Sequence, residues 1–294
     1  MDFSVQLAQL LIAGISTGGI YALVAVGFNV IFKATDAINF AQGEWVMMGG
    51  MITAALVATW NTPLVFACLA ALAAVIVVGM VSERLTIRPI KTPTPVLITL
   101  VSIGLAIASK SLVMLTLGKR PTGYPPFSGD TAVRFGEVSV HPQTFWILGV
   151  TAIFMVAVHL FFERTRLGKS MRAAAADADA AELVGIDVRR VTMVSFAIAA
   201  GAGAIAGIIV SPLTMTSYDH GTAMGFKGFA AAMLGGIGSL YGAVIGGLLL
   251  GVLEALGGGL ISSKFKDAIA FLLLLAVLFI RPAGLLGKPD SGRV

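Results

Sequence analysis

The sequence predicts an all-α fold, a polytopic transmembrane helical bundle of about eight to ten spans with broken helices. Of its 294 residues, 57% are hydrophobic and 12% charged, whereas a soluble domain carries about 25% charged residues. Apolar runs recur along the whole length with no long polar stretch between them, so residues 1–294 are expected to form a single transmembrane domain rather than a soluble domain with an anchor. Glycines also cluster inside these runs, at "GISTGG" (14–19) and "GGIGS" (235–239). A helix can open at membrane depth only where its freed backbone groups face protein or a water-filled cavity, so such clusters point to broken helices along a route.

Runs of about 20 apolar residues place the spans near 5–32, 45–60, 62–81, 95–117, 144–162, 191–212, 228–256 and 266–280. The first run lacks a basic flank and outlasts a signal-peptide core, so it is read as retained. Before the second run, "INFAQGEWVMMGG" (38–50) places Asn39, Gln42 and Glu44 beside apolar sequence. One reading is an interfacial polar turn with Trp45 as a belt anchor. The other is a segment that dips into the bundle, where a carboxylate is expensive and marks function or a specific partner. If the stretch is helical, Asn39, Gln42, Gly43 and Val46 share one face and Glu44 and Trp45 point elsewhere.

Basic residues fix the orientation. Arg84, Arg88 and Lys91 share one loop, and Arg164, Arg166, Lys169, Arg172, Arg189 and Arg190 share another, so both are placed in the cytoplasm, with 118–143 and the N-terminus outside. Eight simple crossings would then leave the tail with Arg281, Lys288 and Arg293 outside, against its charge. A helix pair broken at Gly235–Gly238 restores parity by crossing twice; a re-entrant hairpin with an external tail is the alternative. Within the spans, small residues four apart, such as Gly203 and Gly207, Gly242 and Gly246, or Gly247 and Gly251, suit close helix packing. Lys110 and Glu254 are charges inside apolar runs, each open to snorkelling or to lining a route.

The cytoplasmic loop 163–191 is helix-prone from Ala173 to Ala181, with Ser170 available as a cap and Gly185 as a stop. It is expected to present a small-residue face to a partner groove, or else to be a solvated connector. "GKS" at 168–170 is not a phosphate loop, because Glu163 stands where that motif needs its first glycine, and "GAGAIAG" at 201–207 misses the dinucleotide spacing. A lone Cys68 forms no intrachain disulfide, and His141, His159 and His220 are too scattered for a metal site. The net charge of +5 is dispersed at span ends without interleaved aromatics, which argues against nucleic acid. No nucleophile-and-base pairing emerges, so an intramembrane enzyme is disfavoured.

Four stretches resemble the LivH-type permease family of bacterial ABC importers for branched-chain amino acids. They are "GGIYALVAVGFNVIF" with "INFAQGEWVMMGG", "ERLTIRPIK", "RTRLGKSMRAAAADADAAELVGID", and "KGFAAAMLGGIGSLYGAVIGGLLLGVLEAL" running into "RPAGLLGK". The resemblance implies a non-catalytic, multi-pass subunit of the bacterial cytoplasmic membrane. It would pair with a second homologous permease as a heterodimer, receive substrate from a periplasmic binding protein, and be driven by two cytoplasmic ATPases that carry the ATP and Mg. On that footing Arg172, Ala173, Ala176, Asp177, Ala180, Ala181, Gly185 and Asp187 are expected to couple to an ATPase. Asn39, Gln42, Gly43 and Glu44, with Gly235, Gly236, Gly238 and Ser239, are expected along the translocation path. Gln42 stands where histidine is more usual, and Lys110 departs from the uncharged residues of that region, which leaves other amino acids, amides, urea or small carboxylates as alternative cargo. The rival function is an ion-coupled secondary transporter of small polar or amphipathic solutes, with Glu44 and Glu254 as its ion-site candidates.

Overall fold

Glycine governs how the helices meet. In the computed structural model, which describes residues 3–287, the long first helix α1 (Phe3–Thr35) lies against α10 (Leu240–Leu260). Gly14 faces the backbone of Val252, Gly18 faces Leu248, and Gly247 faces Ala22, so the two helices run antiparallel with their main chains in contact. A side chain at any of these glycines would meet backbone rather than a movable neighbour. Lipid supplies no hydrophobic drive between helices, and such close approach supplies the dispersion contact that replaces it.

The same device joins α2 (Gln42–Trp60) to α8 (Val188–Thr214), here in parallel: Gly203 faces Gln42 and Trp45, Gly207 faces Val46, and Gly50 faces Ser211. The α3 helix (Leu64–Ser82) packs antiparallel on α8, with Gly79 against Phe196 and Ala200. It continues into a wider π turn, Glu83–Ile87, before the chain leaves the bundle. The α4 helix (Pro95–Thr116) starts at Pro95, and Thr94 accepts a hydrogen bond from the Leu97 amide to cap it. The α5 helix (Pro142–Arg164) begins in the same way, with His141 as cap and Pro142 in its first turn. In the connection before it, β1 (Val133–Phe135) and β2 (Val138–Val140) form an antiparallel hairpin that the apolar pattern does not announce.

Burial separates centre from rim. Most of the apolar window of α1 (67%) and of α8 (72%) is buried, against 22% for each of α3, α4 and α5. The outer helices therefore turn apolar side chains such as Leu69, Val77, Ile107, Leu115, Ile153 and Val156 outward, as a lipid-facing rim requires.

At the far end of the chain, the expected 228–256 run is two helices. The α9 helix (His220–Gly235) descends, the chain turns at Gly236–Ser239, and α10 returns antiparallel, with Gly246 against Ala231 and Gly235 against Gly242. Gly236 and Gly238 have φ of 106° and 81°, values open to glycine at little cost. Ser239 caps α10 by accepting from the Gly242 amide at 3.0 Å. The α11 helix (Lys266–Ile280) then crosses back. Its trailing segment bonds to the foot of α9, with Leu285 N to Leu234 O and Leu286 N to Gly235 O both at 2.9 Å. The run is thus broken at Gly236–Ser239, and residues 281–287 sit beside this turn at the basic end, where the charge of Arg281 belongs; Lys288 and Arg293 lie outside the described residues. Among the described residues, six helical segments are long and apolar enough to cross a membrane; α2, α9 and α11 are shorter and pack within the same bundle.

Replacing Gly207, whose added side chain would collide with the Val46 carbonyl, by valine is expected to abolish a monodisperse peak in detergent chromatography. Gly104→Ala, where nothing stands within 4 Å, is expected to change stability by less than about 0.5 kcal/mol. A cysteine placed at position 287 in a Cys68→Ser background is expected to react with an impermeant maleimide from the cytoplasmic side alone.

Candidate translocation site

Residues 36–41 leave the inner end of α1 and climb into the bundle without helical structure. Asn39 closes a tight turn by accepting from the Ala41 amide at 3.1 Å, and Ser102 of α4 receives the Phe40 amide at 3.0 Å. The α2 helix therefore begins at depth, level with Gly203 midway along α8. The segment dips in; it is not an interfacial turn. Trp45 is fully buried, edge-on to Phe196, and is a core residue rather than a belt anchor. Because the helix starts only at Gln42, Asn39 does not share its face. Gly43 and Glu44 are instead brought together against the start of α9.

Each polar residue of this turn has a distinct setting. The Gln42 amide fills the notch left by Gly27 and donates to the Ala199 carbonyl at 3.0 Å, fastening α2 to α1 and α8. Gly43 lies against the main chain of Gly221 and Gly225, where no larger residue fits. Glu44 Oε1 accepts from Thr222 Oγ1 at 3.2 Å. The Lys110 ammonium lies 5.5 Å over the Tyr218 ring, in the connection that leads into α9, so its head faces protein at the outer half of the bundle. Beside it Asp219, outside the helices, is held below the usual carboxylate range by the Ser217 hydroxyl.

The second expected cluster has another setting. Gly235, Gly236, Gly238 and Ser239 form the turn between α9 and α10 at the inner end. Asn29 of α1 clasps it, donating to Ser239 O at 2.8 Å and accepting from the Gly238 amide at 3.2 Å.

An ion network that the sequence reading missed ties four helices together. Glu254, fully buried on α10, accepts from Tyr21 Oη at 2.7 Å and pairs with Lys227 of α9 at 2.8 Å and Lys266 of α11 at 3.1 Å. Lys227 also pairs with Asp267 at 2.7 Å. Glu254 is thus a structural tie, neither snorkelling nor lining an open route. Spacing along one chain does not reveal that α9, α10 and α11 meet there.

At the basic end, Phe32, Asp36, Glu83, Arg88, Ala176 and Arg189, with their neighbours, line a cleft of about 1110 Å3. Toward the other end, the cavity beside Val46, Met47, His220 and Met224 is only about 10 Å3.

The cytoplasmic loop is a hairpin of two helices, α6 (Arg166–Ala176) and α7 (Ala178–Leu183), where one had been expected. Thr165, not Ser170, caps the first by accepting from the Gly168 amide at 2.9 Å. Asp177 breaks the run, because its extended backbone and its bond from the Ala180 amide at 3.0 Å make it the cap of α7. Gly185 ends α7 with φ of 86°, and Asp187 caps α8 by accepting from the Arg190 amide. Arg172 turns to Glu163 at 2.6 Å; Ala173, Ala176 and Ala180 are exposed, and Ala181 is buried. Leu183 and Val184, 88% and 77% exposed, had gone unnoticed, although an apolar pair inside a polar loop was a readable signal.

The model of a family described as "Branched-chain amino acid transport system / permease component" matches residues 10–278. The chain belongs to that permease family. It is 34% identical to the high-affinity branched-chain amino acid transport system permease protein LivH of Salmonella typhimurium over 97% of both chains. It is 35% identical to the permease protein BraD of Pseudomonas aeruginosa over the same shares. Among solved structures, PsaBC from Streptococcus pneumoniae in complex with Fab matches with a TM-score of 0.49 at 13% identity over 92% of this chain and 91% of that one, a likeness too loose to argue from. The permease is a multi-pass protein of the inner membrane and a membrane component of an ABC transport system.

Lys227→Met leaves Glu254 buried with fewer partners and is expected to cost about 3–5 kcal/mol. Lys266→Met, whose side chain is 44% exposed, is expected to cost under about 1 kcal/mol. Thermal unfolding of the two variants in the same detergent reads the difference.

Proposed function

We propose that the permease moves branched-chain amino acids from periplasm to cytoplasm as the passive membrane half of an ATP-driven importer. A second homologous permease completes the path, a periplasmic binding protein delivers the cargo, and two cytoplasmic ATPases bind ATP and Mg and do the work. The observation that carries this reading is the α6–α7 hairpin. It projects at the basic end with a small-residue face at Ala173, Ala176 and Ala180 and an uncovered apolar tip at Leu183 and Val184. Apolar residues held in the aqueous phase beside a cleft of about 1110 Å3 suit a hydrophobic groove on a soluble partner. ATP-driven clamping of that partner moves the hairpin, and the bundle alternates the exposure of its path between the two sides.

The ion-coupled alternative needs a carboxylate available to an ion. Glu254, held by Tyr21, Lys227 and Lys266, does not offer one; Glu44 keeps one oxygen unpartnered among the described residues, and it is membership of the permease family that favours the ABC reading.

Expressed with its genomic neighbours, the tagged wild-type chain is expected to co-purify with a second permease and two ATPases. Ala176→Trp and Ala180→Trp, and separately Leu183→Asp, are expected to release the ATPases and lower ATP-driven leucine uptake at least about tenfold, without loss of folded protein. Uptake that survives removal of the ATPases and collapses with the ion gradient overturns the proposal.

A further inference from the structure

We infer that Glu44 and Lys110 form a zwitterion site, the Glu44 carboxylate taking the α-ammonium of an aliphatic amino acid and the Lys110 ammonium its α-carboxylate. This rests on the amino-acid import reading and gives the cargo a binding position in the membrane.

Glu44 is 3% exposed, and among the described residues its Oε2 is buried with no hydrogen-bond partner, while Oε1 has only the Thr222 hydroxyl. A buried carboxylate oxygen left unpaired is costly. The contrast with Glu254 is informative: the same bundle surrounds that carboxylate with a tyrosine and two lysines. Gly221 packs directly beside the orphan oxygen, and any larger residue there would collide with it, since an added side-chain carbon would lie 2.6 Å from Oε2.

Lys110 supplies the opposite charge. Its ammonium rests on the Tyr218 ring and makes no ion pair among the described residues. Tyr218 lies three residues before Gly221, which packs against Glu44, and the neighbouring Asp219 carboxylate is already engaged by Ser217. An unpaired buried carboxylate oxygen and an unpaired ammonium, both set against the segment 218–221, match a ligand that carries both charges. A ligand with a single charge leaves one protein charge uncompensated in a medium of low dielectric.

The neighbouring wall suits an aliphatic side chain, with Val46, Met47, Val210, Met215 and Met224 around the small cavity next to His220. Methionines adapt to differing branched shapes. At about 10 Å3 that cavity admits no side chain as it stands, so occupancy accompanies opening of the outer half.

The test is binding of radiolabelled leucine to the complete transporter in nanodiscs without the periplasmic binding protein. Isocaproate, which lacks the ammonium, and isoamylamine, which lacks the carboxylate, serve as competitors. Wild type is expected to bind leucine and to disfavour both analogues. Glu44→Gln and Lys110→Met are each expected to weaken leucine about tenfold or more. The pattern is crossed: Glu44→Gln stops discriminating against isocaproate, and Lys110→Met stops discriminating against isoamylamine. A merely structural role for the two residues predicts equal loss of all three ligands, and that outcome, unchanged binding in both variants, or no leucine binding by wild type overturns the site. ATP-driven leucine uptake by the wild type with its binding protein, measured in parallel, separates the readings. Uptake with a failed binding pattern removes only the site; absence of uptake removes the import reading with it.

Discussion

Main chain touching main chain is the constraint on which this bundle depends. The α1 and α10 helices meet through Gly14, Gly18, Gly247 and Gly251, and α2 meets α8 through Gly49, Gly203 and Gly207. Contacts this close fix both the lateral position and the register of each helix, because a slip of one residue replaces a glycine with a side chain. Register in turn sets everything polar. Asn29 reaches the turn at Gly238–Ser239, and Gln42 reaches the notch at Gly27, only in this alignment.

Polar groups at depth then divide into two kinds. Glu254, Tyr21, Lys227, Lys266 and Asp267 satisfy one another and bind four helices into one block. Around Asn39, Gln42, Glu44 and Trp45 the accounts stay open, each leaving one polar atom buried and unpartnered among the described residues. Both kinds carry a desolvation cost, yet only the second leaves hydrogen-bonding capacity unused.

The sequence made the bundle legible because composition and run length report burial in lipid directly. Charge asymmetry predicts an orientation, and the parity conflict pointed to the break at Gly235–Gly238. Local signals served less well where tertiary contacts decide the outcome. Asp177 reads as one polar residue in a helix-prone run, but its carboxylate competes for the Ala180 amide and splits the helix. Trp45 beside Glu44 reads as an interface pair, since nothing local announces a chain that rises into the bundle before it becomes helical. Lys227 and Glu254 lie 27 positions apart, and only the antiparallel α9–α10 pair brings them to 2.8 Å.

The break at Asp177 also has a mechanical consequence. The α6 helix is anchored to the end of α5, with Gly168 pressed against Phe161 and Phe162, while the chain after α7 returns through Ile186 N to Ala181 O into the capped start of α8. A rigid single helix would deliver any load as one torque. Two short arms meeting at a non-helical residue divide it, so that a push on α6 reaches α5 and its neighbour α1 through Thr151 and Gly19. A push on α7 reaches α8 and, through it, the turn that carries Glu44. Under the proposed coupling, the loop would act as a forked lever, with one tine rooted in α5 and the other in α8.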